Sequence, residues 1–210
     1  SQNALLKNLE EPPDGVIFIL ITPYPEQLRE TIRSRCWKIN FQPLEDKEIS
    51  GILSKYYKID PSSANKAASF SNGSVDNALT LIDYEIEQLL EQTISFLRYS
   101  LGGRFEEALT AGAQFVSPDK PGLLKILISL MITWFGDVIR FRVNDKEIYF
   151  SDQIETIEKF NIKFPNLDLS FVMYELDSLQ SEIDRNINQN LILLKIVFEL
   201  AMLISKSSRK

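Results

Sequence analysis

The most reactive-looking feature of this sequence is an arginine held between two element boundaries. Leu28-Arg-Glu-Thr-Ile-Arg-Ser-Arg-Cys-Trp37 carries Ser34-Arg35-Cys36 at its end. A guanidinium is planar, always charged and shaped to meet phosphate oxygens as negative charge redistributes among them. The plain alternative is a surface arginine with a solvated head, and spacing alone favours that alternative. The rest of the composition narrows the chemistry. With no histidine in 210 residues, Ser-His-Asp and Cys-His catalysis and the commonest metal ligand are excluded together. The single cysteine, Cys36, can form neither an intrachain disulfide nor a cysteine-rich zinc site. It reads as a small buried apolar residue at a strand start, in a protein of a reducing, cytoplasmic compartment.

Three elements must position Arg35. Val16-Ile-Phe-Ile-Leu-Ile21 is an apolar run without alternation, the pattern of a strand covered on both faces of a parallel sheet. Pro23-Tyr-Pro25 starts a helical turn, because proline is tolerated where no amide partner is lost. Trp37-Lys-Ile-Asn-Phe41 reads as a second short strand. Arg35 thus falls where a short helix hands over to a strand, a place from which its side chain can leave its own domain for a neighbour's site. Ahead of these, residues 1–11 read as a helix with Ala4, Leu5 and Leu9 inward, stopped by Pro12-Pro13.

The flanks carry a resemblance. Asn3-Ala-Leu-Leu-Lys-Asn-Leu-Glu-Glu-Pro-Pro13, Phe18-Ile-Leu-Ile-Thr22 and Thr31-Ile-Arg-Ser-Arg-Cys36 closely resemble, in order and spacing, the second half of the AAA+ module of bacterial DNA polymerase III clamp-loader subunits. The likeness runs from residue 1 to about 85. It implies that Arg35, flanked by Ser34 and Cys36, is an arginine finger acting in trans on ATP-Mg bound by an adjacent subunit. It also places Thr22 at the sensor-1 position, where a plain strand-end threonine is the competing reading. The partners implied are the gamma/tau and delta subunits, and indirectly the sliding clamp and primer-template DNA.

Two departures shape that expectation. No Gly-x-x-x-x-Gly-Lys-Ser/Thr occurs, so no glycine-rich loop cradles phosphates. The resemblance starts in mid-domain, which reads as a C-terminal fragment that binds no cofactor itself and neither holds nor hydrolyses ATP. Residues 1–42 are then a base-domain remnant with unpaired strand edges, expected to pair abnormally, including with a second copy of the chain. The other departure lies in Gly73-Ser-Val-Asp-Asn-Ala-Leu79, which resembles the family's sensor-2 motif except that Asp76 stands where an arginine touches nucleotide. A carboxylate facing a triphosphate repels it. This favours the family's non-motor subunit over its ATPase subunit, and it demotes Thr22 as well.

The remaining chain reads as helices. Pro43 opens a new unit, with Glu45-Asp46-Lys47-Glu48 at a helix start and Ile49, Ile52, Leu53 and Tyr56 at helical spacing. Asp60-Pro61-Ser62 caps a second helix, Asn72-Gly73 ends it, and Ser74 starts a third. Three short helices over 43–87 resemble the AAA+ lid. Periodicity then predicts helices over 84–100, 104–116, 120–142, 151–163 and 168–206, the last broken near 186–190. Trp134, Phe135 and Phe198 are assigned to the core, and the apolar run from Leu191 to Ile204 to the depth of a bundle or a partner's surface. By resemblance, 88–210 is one segment of an oligomeric collar. The fold class expected is therefore mainly α: a truncated α/β base remnant, a three-helix lid and a C-terminal helical bundle.

Global charge sets limits too. A net charge of -6 argues against a broad nucleic-acid-binding surface. No secretory signal is read at the start. The apolar segment Ile126–Phe135 is far shorter than the roughly 20 residues a membrane span requires, so a buried core helix is expected there.

Overall fold

The computed structural model describes residues 6, 8–22, 24–120, 122–184 and 187–207. The chain divides into two compact units, Ser1–Gln42 and Pro43–Lys210.

In the first unit, residues 6 and 8–10 are helical, with Leu9 half-buried, while Ala4 and Leu5 lie outside the described residues. A turn closed by Val16 N–H donating to the Pro13 carbonyl (3.1 Å) leads into the apolar run. Neither apolar run forms a strand: 16–21 and 37–41 are irregular, and no strand occurs among the described residues. The expectation of strands here is corrected, and the reason is physical. A strand's amides and carbonyls point sideways and need a neighbouring strand, which no described segment supplies. The side chains show the same want of neighbours. Ile17 is 87% exposed, Ile21 93%, Trp37 93% and Phe41 91%, the reverse of a run covered on both faces. Val16, Phe18 and Leu20 are less exposed than Ile17, Ile19 and Ile21, the alternation an extended backbone imposes.

Between the runs, Pro25–Gln27 makes a 3-10 turn with proline at its start, while Pro23 lies outside the described residues. Helix α1, Glu30–Arg33, follows, and Ile32 is its buried residue. Cys36 comes after this turn, half-buried rather than buried, with irregular chain instead of a strand after it.

The second unit is helical throughout its ordered elements: α2 (Asp46–Tyr56), α3 (Pro61–Ser69), α4 (Val75–Asp83), α5 (Ile86–Leu101), α6 (Phe105–Ala113), α7 (Leu123–Arg142), α8 (Ile154–Lys163), α9 (Leu169–Asp184) and α10 (Gln189–Ser207). Their starts are chemically marked. Glu45 and Glu48 form a reciprocal capping box on α2, the Asp60 carboxylate accepts from the Ser62 and Ser63 amides at 3.0 Å, and the Ser74 hydroxyl accepts from Asn77 N–H. Asn72 (φ 51°) and Gly73 (φ 77°) make the left-handed turn between α3 and α4. A Cβ on Gly73 would lie 2.3 Å from Pro43 Cβ, and Leu44 N–H donates to the Gly73 carbonyl at 3.1 Å. Only glycine lets the entering chain lie this close to the turn.

Helix α7 is the axis of the unit, packing on α4, α5, α8 and α9. It is buried along most of its length because Leu, Ile, Met, Trp and Phe recur on nearly every face. Trp134 meets Phe135 (5.2 Å) and Phe160 (5.1 Å) edge-on, and Phe160 leans on Phe164 at 5.1 Å, geometries favoured by the ring quadrupoles. One continuous core runs from Ile49 to Leu200. Phe198 is corrected: it is half-exposed and rests against Phe105 at 5.4 Å. On α10, Ile192, Leu193, Ile196, Val197 and Leu200 face the bundle, while Leu191, Leu194, Phe198 and Met202 remain exposed on the other side.

Two polar inclusions hold this core in register. Asp137, fully buried, accepts from Phe150 N–H at 2.7 Å and pairs with Arg140 at 2.9 Å, pinning the loop after α7 back onto it. Burial pushes its carboxyl above the ordinary range, opposed by the Phe150 and Tyr149 amides and by Arg140. Arg142 donates to Asn161 Oδ1 (2.6 Å) and to the Phe164 (2.8 Å) and Leu167 (3.1 Å) carbonyls, closing the end of α8.

Candidate functional site

The site builds outward from α1. Four residues make too short a helix to stand on propensity, and the turn is held by Ile32 inside and by the bonds at its end. The chain leaves α1 through Ser34 and Arg35, whose amides donate to the Glu30 and Ile32 carbonyls at 2.9 and 3.1 Å. The Ser34 hydroxyl donates to the Thr31 carbonyl at 3.3 Å, so its role here is to finish the turn. Cys36 follows with its thiol uncommitted to a disulfide.

Arg35 is exposed but not loose. Its Nη1 donates to the Thr31 carbonyl at 2.9 Å, one of the carbonyls left over at the end of α1. Its Nη2 pairs with Glu10 Oε1 at 2.6 Å. The two side chains are 37% and 51% exposed, so the ion pair contributes about 1 kcal/mol or less. Of five guanidinium N–H groups, these anchors take one on each Nη nitrogen, and no partner for the others is seen among the described residues. The arrangement can therefore present an oriented cation to oxygen ligands.

Sequence reading missed Glu10. Its only signal was an acid at the end of the first helix, before Pro12-Pro13, and nothing in the spacing ties it to a residue twenty-five positions on. Thr22 sits where the first apolar run ends, half-buried, and its hydroxyl accepts from Tyr24 N–H at 3.1 Å. That bond gives it a turn-forming role. Asp76 belongs to the second unit, exposed in the first turn of α4, where a carboxylate complements the helix dipole. The structure thus joins Arg35, Ser34 and Thr31 in one turn and adds Glu10.

A cleft of about 190 Å³ in the second unit is lined by Asp46, Asn72, Thr133, Gly136, Arg140 and Tyr149 among others. None of Thr22, Ser34, Arg35, Cys36 and Asp76 lines it, and it is smaller than the roughly 300–1,000 Å³ of ordinary ligand pockets. Arg140 stacks over the Tyr149 ring at 5.0 Å, which gives it a packing role there. Among the described residues no cluster of His, Cys, Asp or Glu could hold a metal ion, and no helix is long and apolar enough to cross a membrane.

Residues 1–45 match the family described as DNA polymerase III, delta subunit. The chain is 38% identical over 89 residues to DNA polymerase III subunit tau of Bacillus subtilis, a stretch covering 40% of this chain and 16% of that protein. It is 37% identical over 89 residues to DNA polymerase III subunit gamma of Buchnera aphidicola, covering 40% of this chain and 24% of that protein. Against DNA polymerase III subunit delta' of Bacillus subtilis it is 41% identical over 70 residues, 33% of this chain and 21% of the relative. The match thus spans no more than about a quarter of the length of these curated relatives. Over about 40% of its length the chain is similar to the DNA polymerase III clamp-loader family.

Proposed function

We propose that this chain serves DNA replication as a delta-prime-type, non-motor subunit of a bacterial clamp loader, and so as part of a DNA polymerase holoenzyme, a nucleotidyltransferase. In this reading it carries no catalytic site of its own. Residues 1–42 belong to an AAA+ base, 43–87 form the lid, and 88–210 supply a collar segment for pentamer assembly. Arg35 reaches ATP-Mg held by an adjacent gamma/tau subunit and stabilises charge on the transferring phosphoryl group. Gamma/tau and delta are the direct partners, with the sliding clamp and primer-template DNA engaged through the assembly, in the cytoplasm.

The observation that carries this reading is Arg35 itself, part-exposed at the end of α1 and held by Thr31 and Glu10, inside a segment similar to polymerase III subunits. Asp76 supports the non-motor assignment, since an exposed carboxylate in the first turn of α4 offers nothing to a triphosphate. The exposed face of α10, with Leu191, Leu194 and Phe198, supports the collar assignment. The experiment is ATP hydrolysis by the assembled complex carrying Arg35→Ala. The expected result is a rate lowered by about 10³-fold at that site, within the range for arginine fingers, while the chain stays folded. Unchanged ATPase and clamp-loading rates would refute the assignment.

A second reading, a gamma/tau-type ATPase subunit, is favoured by one observation: the matches to tau and gamma run to 89 residues and that to delta' to 70. Nucleotide binding by the full-length protein separates the two, since only the ATPase subunit retains ATP on its own phosphate-binding loop.

A further inference from the structure

Among the described residues, Glu10 is the one partner of the Arg35 guanidinium that comes from outside its own turn. The Thr31 carbonyl belongs to α1 and moves with it, whereas Glu10 lies at the end of the helical residues 8–10, on the far side of the apolar run. The two anchors grip different nitrogens of a planar fork. Nη1 is fixed by the carbonyl at 2.9 Å and Nη2 by the carboxylate at 2.6 Å. A planar group tied at two of its corners has its rotation about the long side chain removed. An unanchored arginine would pay that ordering cost each time it met a ligand. The two side chains remain 37% and 51% exposed, so the pair is open to solvent.

We propose that Glu10 is a positioning residue for Arg35: it holds the guanidinium in the pose from which it meets phosphate oxygens. The proposal rests on the reading of Arg35 as a phosphate-contacting group. Glu10 does not touch the nucleotide. Its carboxylate accepts from Nη2 throughout, while the phosphate meets guanidinium N–H groups that neither anchor takes. No bond is made or broken by Glu10, so its contribution enters through orientation alone.

The chemistry separates this role from two others. A carboxylate that merely occupied Arg35 until displaced would compete with phosphate, and its removal would raise activity at limiting ATP. A carboxylate that merely stabilised the first unit would show its loss in thermal melting. A positioning carboxylate does neither: its removal lowers kcat and leaves KM for ATP unchanged, because the neighbouring subunit's own residues do the ground-state binding.

The test uses the full-length chain reconstituted into its ATPase assembly, with Glu10→Gln, Glu10→Asp, Arg35→Ala and the Glu10→Gln/Arg35→Ala pair. Glu10→Gln keeps size and a weak acceptor but removes charge. The expected result is a kcat about 5-fold lower, the equivalent of about 1 kcal/mol, with KM unchanged and a melting temperature no lower than that of Arg35→Ala, which loses the same ion pair. Glu10→Asp should recover part of the loss, and the double variant should be no slower than Arg35→Ala alone. A Glu10→Gln rate equal to or above wild type overturns the proposal, as does a further loss in the double variant. Failure of the underlying reading looks different: Arg35→Ala would then leave the assembly's ATPase intact.

Discussion

Gly15 and Gly73 share a backbone φ and little else. Both have φ of 77°, yet an added Cβ at Gly15 would meet no atom within 4 Å, whereas at Gly73 it would collide with Pro43. The two glycines stand for the two units that hold them. Residues 1–42 expose Ile17, Ile19, Ile21, Trp37 and Phe41, side chains of the kind the second unit buries by the dozen. The difference follows from which secondary structure each unit is composed for. A helix satisfies its amides and carbonyls within one segment and needs only a neighbouring face to cover its apolar stripe. A strand must borrow hydrogen bonds from another segment, and a run that finds none stays irregular with its side chains in water.

Hydrogen exchange offers the widest expected gap. Amides of 16–21 and 37–41 in the free chain should exchange within a few-fold of unstructured rates. Those in the middle of α7 should be slower by more than about 10³-fold, as the core of a domain with ordinary stability requires. Strong, concentration-independent protection of 16–21 would erase the contrast. Protection that appears only as concentration rises would show the runs pairing between copies.

Cavity-creating substitutions should differ next most. Phe135 is fully buried beside Trp134 and Phe160, so Phe135→Ala should cost about 3–5 kcal/mol in chemical denaturation. Ile17→Ala, on a side chain 87% exposed, should stay within about 0.5 kcal/mol. A comparable loss at Ile17 would mean that the first unit buries it in solution.

The two glycines give a finer probe because both are left-handed at the same φ. Gly15→Ala should cost about 1 kcal/mol, the penalty of a left-handed residue with a Cβ. Gly73→Ala adds overpacking against the Pro43 backbone and should cost about 2–4 kcal/mol. Equal losses would show that the chain at Pro43 gives way freely, and the join between Leu44 and Gly73 would then carry little energy.

The smallest effect is electrostatic and belongs to the second unit alone. Asp137 has its carboxyl raised by burial, so the folded chain holds that proton more tightly than the unfolded chain. Between the unfolded and the raised folded values the unfolded state binds fewer protons, and this group's contribution to stability therefore grows as pH falls through that window. Asp137→Asn abolishes the term while keeping an acceptor for Phe150 N–H. At neutral pH the variant should lie within about 1 kcal/mol of wild type, and the mild-acid gain should vanish from its denaturation profile. A gain that persists would place its origin in another group.

Much of the second unit was legible before any coordinates. The helices expected over 84–100, 104–116 and 120–142 appear as α5, as α6 followed by the 3-10 turn Gln114–Val116, and as α7, and the break expected near 186–190 is seen at 187–188, before α10. These elements announce themselves through caps and 3.6-residue periodicity, both local properties. Phe198 was misassigned because α10 is apolar on opposite sides, and composition does not say which side the bundle takes. The first unit shows the converse error. Val16–Ile21 has a strand's composition, but composition carries no partner.

At the candidate site the same division holds. Ser34-Arg35-Cys36 and its place after a helical turn are written in the sequence, as is the absence of histidine that removes most other chemistry. So are the caps of the second unit, because a cap is decided within three or four residues. Only the tertiary structure brought Glu10 to Arg35, set Asp137 beneath Phe150, and left 16–21 without a ladder. Contacts across a dozen or more residues depend on how whole elements come together. Such a meeting leaves no periodic trace in the order of the amino acids.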